Sequence, residues 1–224
     1  MDVDIKTAIT RLAFFKDLNE EEMEYLIAIS SLKHYPSEYL LHYEKSHRNQ
    51  LLFLVTGLAR AYKIDKHDNE IFLYYIYGGH MISEISAINS DQLLSYANVV
   101  LVEESYVLSV NYVALKKEFF KRGLLCLTLA DEVIRQSKQL QDLVNREFIF
   151  DAVAKVAMML STDLTMFNQL KRYDVSLMLH IQPSTLSRVL SRLKRQNLID
   201  IHHGTVIIMD AKGLQKIYEG LADA

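Results

Sequence analysis

The chain has 224 residues, room for one large domain or two of ordinary size, and 50% hydrophobic with 24% charged content suits a globular protein without long disordered stretches. Residues 1–10 are charged and no apolar run reaches membrane length, so neither a signal peptide nor a membrane partner is expected, and the expected location is cytoplasmic. The single cysteine, Cys126, excludes an internal disulfide and a cysteine-held zinc or iron–sulfur site. A net charge of −3 suits a nucleic-acid binder only if positive charge is gathered locally.

In chain order, Asn19 stands three residues before Glu22 as an N-cap does, and Met23, Leu26, Ile27 and Ile29 follow at helical spacing, predicting a short helix that ends near Ser31. Residues 39–110 change to short runs of Tyr, Ile, Val, Leu and Phe, broken at Thr56-Gly57, Asp65 to Asn69, Gly78-Gly79 and Asn89-Ser90-Asp91. That is the texture of a β barrel or sandwich. Beyond Tyr112 the spacing predicts one long helix over 113–145, with Cys126, Leu129, Val133, Leu140 and Leu143 on a stripe shared by Gln136 and Glu147. So narrow a stripe on so long a helix points to a partner helix, hence a homodimer.

A further helix follows with Val153, Val156, Ala157 and Leu160 apolar, then a loop over 163–169. Val175, Leu177, Met178 and Leu179 precede the break His180-Ile181-Gln182-Pro183, after which a second helix carries Leu186, Val189, Leu190 and Leu193. Two short helices across a four-residue break spell helix-turn-helix. Ile199-Asp200-Ile201 and Val206-Ile207-Ile208-Met209, joined through His202-His203-Gly204-Thr205, read as a β-hairpin wing.

The second helix carries the chemistry. Pro183 can open it, since its missing N–H costs nothing in a first turn. Arg188 and Arg192 lie four apart with Ser184, Ser187 and Ser191 beside them, opposite the apolar face. Residues 183–197 hold the cations Arg188, Arg192, Lys194 and Arg195 and no Asp or Glu, which supplies the local positive patch.

Pro183-Ser-Thr-Leu-Ser-Arg-Val-Leu-Ser-Arg-Leu-Lys-Arg-Gln-Asn-Leu-Ile199 resembles the recognition helix and wing entry of the Crp/Fnr family, bacterial regulators related to the cyclic-AMP receptor protein. Leu54-Val55-Thr56-Gly57-Leu58-Ala59-Arg60 resembles that family's strand and glycine turn, and Gly79-His80-Met81-Ile82-Ser83-Glu84 its Gly-Asp-Phe-Ile-Gly-Glu segment. Tyr106 to Val110 matches the last strand, and Phe150-Asp151 falls where the family bends into its DNA domain.

The resemblance implies an α+β chain: a β-roll sensor over 1–110 of the cyclic-nucleotide-binding-like jelly-roll type, a dimerisation helix over 111–145 and a winged helix-turn-helix over 146–224. It implies a transcription regulator, not an enzyme, with double-stranded DNA and RNA polymerase as partners. DNA contacts fall to Gln182, Ser184, Thr185, Ser187, Arg188, Arg192 and His203, with Arg188 at the arginine that reaches guanine. Ser184 stands where the family often has a glutamate that accepts from cytosine, so that part of the base code is changed.

The effector pocket falls on Ser83, Glu84, Ser95 and Tyr96. Ser95 stands where the cyclic-AMP binders carry a phosphate-gripping arginine, and Ser83 replaces a glycine, so cyclic AMP is not the expected ligand. The cysteine cluster of the oxygen sensors is absent. Ser83 and Ile85 occupy the positions of the carbon-monoxide sensor's haem ligands, so that haem site is absent too. The effector is unknown, with haem on other ligands, as in relatives that respond to nitric oxide, left open by His42, His47, His67 and His80. Two other readings are a ligand-binding or interaction module with a non-functional DNA head, and an enzyme using Cys126. The apolar run Leu124-Leu125-Cys126-Leu127 favours a packed, inert thiol over the latter.

Overall fold

A computed structural model describes residues 4–145 and 150–219. The chain divides into two compact units, Met1–Gln139 and Leu140–Ala224. In the first, α1 (Ile5–Thr10) and α2 (Glu20–Ala28) precede ten strands. Asn19 caps α2 as its spacing predicts: its Oδ1 accepts the Glu22 amide at 2.9 Å, and the Glu22 carboxylate accepts the Asn19 amide at 3.0 Å. The helix ends at Ala28 and not near Ser31, because the chain there enters β1 (Ser30–Tyr35), a mostly polar strand that hydrophobic alternation does not reveal.

The remaining strands are β2 (Tyr39–His42), β3 (His47–Arg48), β4 (Gln50–Thr56), β5 (Leu58–Ile64), β6 (Glu70–Tyr77), β7 (His80–Met81), β8 (Leu93–Leu94), β9 (Asn98–Leu101) and β10 (Ser105–Asn111). They form one sheet in the order β1-β10-β4-β7, a second in the order β2-β9-β5-β6, and a ribbon β3-β8. Strand β4 is apolar on both faces: Leu52 and Leu54 meet Leu41, Ala59, Ala61, Ile76 and Val99, while Leu51, Phe53 and Val55 meet Ile9, Leu12, Phe15, Leu26 and Leu115. A central strand covered by a sheet on one side and helices on the other reads as the continuous run L-L-F-L-V, without alternation. Gly57 makes the turn from β4 to β5 at φ +99°, a conformation in which a Cβ would also strike Ser105.

The single helix predicted over 113–145 is two helices. Helix α3 (Tyr112–Glu118) stops, a short turn leads to Gly123 at φ +79°, and α4 runs Cys126–Val144. Gly123 takes the left-handed conformation that ends helices, a break that the apolar spacing on either side conceals. On α4 the predicted stripe also divides. Leu129 packs on the helix side of the first sheet, whereas Val133 and Leu140 are exposed together with Leu127 (84%), Ile134 (53%) and Val144. Cys126 is exposed, contrary to the packed thiol expected from its apolar neighbours, because it sits on this outer face. Glu147, the last member of the stripe, and Arg146, where the head was expected to start, lie outside the described residues.

In the second unit α5 (Ala152–Thr162) is capped by Asp151, whose Oδ1 accepts the amides of Val153 and Ala154 at 2.9 and 2.8 Å. The loop expected over 163–169 is instead a short helix, α6 (Leu164–Gln169), with Asp163 as its cap and Met166 and Phe167 buried. Next come α7 (Arg172–Met178), α8 (Pro183–Arg195), β11 (Ile199–His202), β12 (Thr205–Ile208) and α9 (Ala211–Glu219). The core gathers Val156, Ala157, Leu160, Phe167, Val175, Leu193, Ile199, Val206 and Leu214.

Candidate nucleic-acid interface and effector site

Helix α8 owes its orientation to four side chains. Leu186, Val189, Leu190 and Leu193 are buried, so the i+3/i+4 spacing forces Gln182, Ser184, Ser187, Arg188, Ser191, Arg192 and Arg195 into solvent, with Thr185 half-buried. Pro183 is in the first turn as expected, and Gln182 takes the N-cap position without a capping bond from its amide. Arg188 Nη2 donates to Thr185 Oγ1 at 3.2 Å, a neutral partner that leaves the guanidinium charge uncompensated. Ser187 and Ser191 turn their hydroxyls back to the carbonyls of Pro183 and Ser187.

The wing is a two-residue hairpin in which His203 (φ +48°) and Gly204 (φ +86°) both adopt left-handed backbone. His203 is exposed at its tip. Asn168 holds β12 from outside: its Nδ2 donates to the Val206 carbonyl and its Oδ1 accepts the Val206 amide, both at 2.9 Å. Arg172 lies over the Phe167 ring at 4.5 Å and donates to the Gly204 carbonyl at 2.5 Å.

One expected cation is not free. Lys194 Nζ is 2.7 Å from Asp200 Oδ1, and His202 Nε2 is 2.9 Å from Asp200 Oδ2. The bond from Lys194 and the Ile201 amide hold the Asp200 carboxyl down at about 2. The helix itself is free of acids, but the wing supplies one from beyond residue 197. Sequence spacing could not show this, since the pairing depends on how β11 returns along α8.

The effector residues lie in the first unit. Glu84 is engaged on both oxygens: Oε1 accepts from the Tyr74 hydroxyl at 2.9 Å and Oε2 from the Tyr96 amide at 2.8 Å. Burial, with the Glu84 charge and hydrogen bond added, pushes the Tyr74 phenol well above its ordinary range. Ser83 is buried and its hydroxyl accepts the Leu52 amide at 2.9 Å, tying the segment to β4. Ser95 exchanges backbone bonds with the 45–46 turn, and its hydroxyl is 3.3 Å from that of Ser46. Glu84 thus joins Tyr96, while Ser83 faces β4 and Ser95 faces the turn.

Helix α4 is stitched to this region through main-chain carbonyls. Gln136 donates to Ser83 O at 3.1 Å, Arg135 to Met81 O at 3.3 Å and Gln139 to Tyr75 O at 3.1 Å. Glu132 accepts from Arg135 at 2.8 Å and lies 3.1 Å from His80 Nδ1. Glu132, Arg135, Gln136 and Gln139 repeat at helical spacing, a polar stripe that the sequence contains and that attention to the apolar stripe misses. Of the other histidines singled out, His42 is buried at the end of β2, and His47 and His67 are exposed. Among the described residues no group of three or more His, Cys, Asp or Glu is placed to hold a metal ion, and no helix is long and apolar enough to cross a membrane.

Residues 154–217 match the Crp-like helix-turn-helix domain. A cyclic AMP receptor protein of Thermus thermophilus is 23% identical over 212 residues, covering 93% of this chain and 97% of its own. The second unit thus carries a Crp-like helix-turn-helix domain, and most of the chain is similar to that receptor protein. The solved structure of a CooA variant from Carboxydothermus hydrogenoformans shares the fold at a TM-score of 0.72 and 15% identity over 92% of this chain and 95% of its own. FixK2 of Bradyrhizobium japonicum does so at a TM-score of 0.65 and 17% identity over 84% and 97%. The match gives the second unit a DNA-binding helix-turn-helix of the Crp type. The family's domain match spans α5 to α9, and with it the recognition helix and the wing that Asn168 and Arg172 hold.

Proposed function

We propose that the protein is a homodimeric, sequence-specific regulator in which α8 reads DNA and the N-terminal roll senses a small effector. The observation that carries this is the outer face of α8: solvent-open, free of acids and carrying Arg188 with a neutral partner only. A guanidinium in that state can give two hydrogen bonds to O6 and N7 of one guanine. Gln182, Ser184, Thr185 and Ser187, at the N-terminal end, take the neighbouring base edges. Arg192 and His203 meet phosphate, and RNA polymerase is the protein partner at the promoter.

The dimer forms along the exposed face of α4, where Leu127, Val133, Ile134, Leu140 and Val144 would otherwise stay in water. Residues 1–110 act as the sensor, 111–145 as the dimerising segment and 146–224 as the head. The effector enters at Ser83, Glu84, Ser95 and Tyr96. Its arrival breaks the internal bonds of Glu84 and moves the Ser83 carbonyl that Gln136 holds, so α4 registers the change. Cyclic AMP fits poorly, since Ser95 offers no guanidinium and Glu84 is already satisfied. Haem finds no support in His47 and His67, which are exposed, or in His80, which lies against Glu132.

The test is selection from randomised DNA followed by gel shift, with light scattering on the same sample. A recovered palindrome bound by a species of twice the chain mass, with affinity unchanged by cyclic AMP, is expected. Failure to enrich any sequence would instead favour an interaction module with a silent head.

A further inference from the structure

His42, the last residue of β2, is only 6% exposed, and its Nδ1 makes no hydrogen bond with the described residues. Across the second sheet His42 pairs with Val99, Val99 with Ala61, and Ala61 with Tyr74. Cross-strand partners share a face. A bulge between Leu40 and His42 sets His42 on the same side as core residue Leu41, and Val99 and Ala61 belong to the core between the sheets, so the buried imidazole is aimed into the roll over two small side chains. A buried polar atom left in that state costs free energy unless something from outside the chain completes it.

The missing partner is suggested by what stands next to it. Arg48 Nη2 donates to the Leu41 carbonyl at 2.6 Å, the peptide group that leads into His42. Beyond that bond its surroundings are Tyr35 and Tyr39, whose tilted rings lie 4.7 Å apart, and no carboxylate pairs with it among the described residues. Glu44, the acid within 42–48, is taken by Lys63 at 2.8 Å, while Lys45 adds a cation to the same turn. An arginine drawn partly out of water without an anion is as incomplete as the imidazole beside it.

We propose that His42 and Arg48 form an oxyanion subsite at this end of the roll, built for the carboxylate or phosphate group of a small ligand. The guanidinium fork supplies two parallel bonds and the imidazole a third. The inference rests on the roll being the sensor and names the chemistry it senses. It also places the ligand where it can act: β3 pairs with β8 at His47↔Leu94 and Arg48↔Leu93, and Ser95 and Tyr96 follow directly. A shift of that ribbon reaches the Tyr96 amide that holds Glu84. Burial, reinforced by the Arg48 charge, holds the His42 pKa down at about 4 in the free site. The groups facing this pair are Tyr35 and Tyr39 around the guanidinium and Tyr74 at the far end of the row, so an added anion is what would draw a proton onto the imidazole.

The 224-residue chain, labelled at histidine, is titrated with sodium phosphate or sodium acetate against sodium chloride at matched ionic strength, and the His42 ring resonance is assigned with His42→Gln. A saturating shift with phosphate or with acetate is expected, and the responding salt identifies the group. Arg48→Met should weaken it at least about tenfold, and Lys33→Met, which removes an exposed cation of β1, should not. If Arg48→Met does not fold, Arg48→Lys, which keeps the charge and loses the fork, should still weaken the response. No saturation, the same shift with chloride, or an unchanged response in the Arg48 variants overturns the proposal. Operator affinity is followed in parallel. A saturating shift without change in DNA binding leaves the subsite and defeats the sensor reading. DNA binding that answers to other compounds while His42 stays silent does the reverse.

Discussion

Arg188 and Glu84 are both charged side chains at positions where the sequence expects contact with something outside the chain, and the structure leaves them in opposite conditions. Arg188 stands in water with one neutral partner. Both oxygens of Glu84 are bound by donors of the chain itself. Solvation explains the contrast: an exposed guanidinium is hydrated at little cost until DNA replaces the water, whereas a half-buried carboxylate without donors would weaken the fold. On the proposed function the head therefore waits with its contacts unmade, and the roll must break contacts before it can make new ones. A ligand at Glu84 must outcompete the Tyr74 hydroxyl and the Tyr96 amide, which makes the roll a natural place for a threshold and the head a natural place for plain affinity.

The largest expected effect lies in the roll and is absent from the head. His42 titrates at about 4 when folded against 6.5 when free. Between those values the unfolded chain binds a proton that the folded chain refuses, so stability falls as pH drops through this window, by about 3 kcal/mol. Hydrogen exchange resolved by peptide at pH 7 and pH 4.5 should show residues 30–111 losing protection relative to His42→Phe, with residues 152–219 unaffected by the substitution. Equal pH dependence in the two proteins would remove His42 from the account.

Next in size, Arg188→Ala should cost about 1 to 3 kcal/mol on the selected operator and relax preference at one guanine, with no change in melting temperature. If affinity falls equally on the operator, its guanine variant and random DNA, Arg188 is a phosphate clamp and the reading comes from Gln182, Ser184, Thr185 or Ser187. The counterpart in the roll is Tyr74→Phe, which deletes one of the two donors to Glu84. It should lower stability by about 1 kcal/mol and leave the affinity of the head for random DNA alone. A stability loss confined to Arg188→Ala would invert the comparison.

The two regions also differ in how much of each is legible in the amino-acid sequence. The head is legible because a helix-turn-helix is local: Pro183, the Leu186, Val189, Leu190 and Leu193 face and the His203-Gly204 turn lie within some twenty residues and each obeys short-range rules. The roll is legible as strands, but the state of its site is not. Glu84 meets Tyr74 and Tyr96 from 10 and 12 residues away, and Ser83 meets Leu52 from 31. Such pairings follow from sheet register, which periodicity does not fix. The glycine at 123 is visible in the sequence, yet the apolar spacing on either side of it favours one continuous helix. Strand β1 is hidden because its polar residues alternate too weakly. The exposure of Cys126 depends on which side of α4 meets the roll, and the polar stripe Glu132, Arg135, Gln136 and Gln139 defines that side.

The smallest expected effect separates cations within the head. Arg195 is exposed on α8, whereas Lys194 is held by Asp200 at 2.7 Å, with both side chains partly in solvent. A pair of that kind, screened by water, adds little to stability. Its importance here is electrostatic: a lysine already facing a carboxylate releases few counterions when DNA arrives. Arg195→Ala should flatten the salt dependence of binding to random DNA by about one unit if the side chain meets a phosphate, and Lys194→Ala by clearly less. Asp200→Asn should work in the other direction, since it frees Lys194 and removes a negative charge beside the wing, so binding to every sequence tightens at low salt and the salt dependence steepens. Acid does not open this clasp in any usable range. The Asp200 pKa is depressed, so the ion pair is present above the ordinary aspartate value of 3.8 and is lost only as pH falls through about 2. The measurement is a titration of all three variants against random DNA at several salt concentrations. Equal slopes for Lys194→Ala and Arg195→Ala would show that DNA pulls Lys194 away from Asp200 on binding, and the head would then share with the roll the need to break an internal contact before it can act.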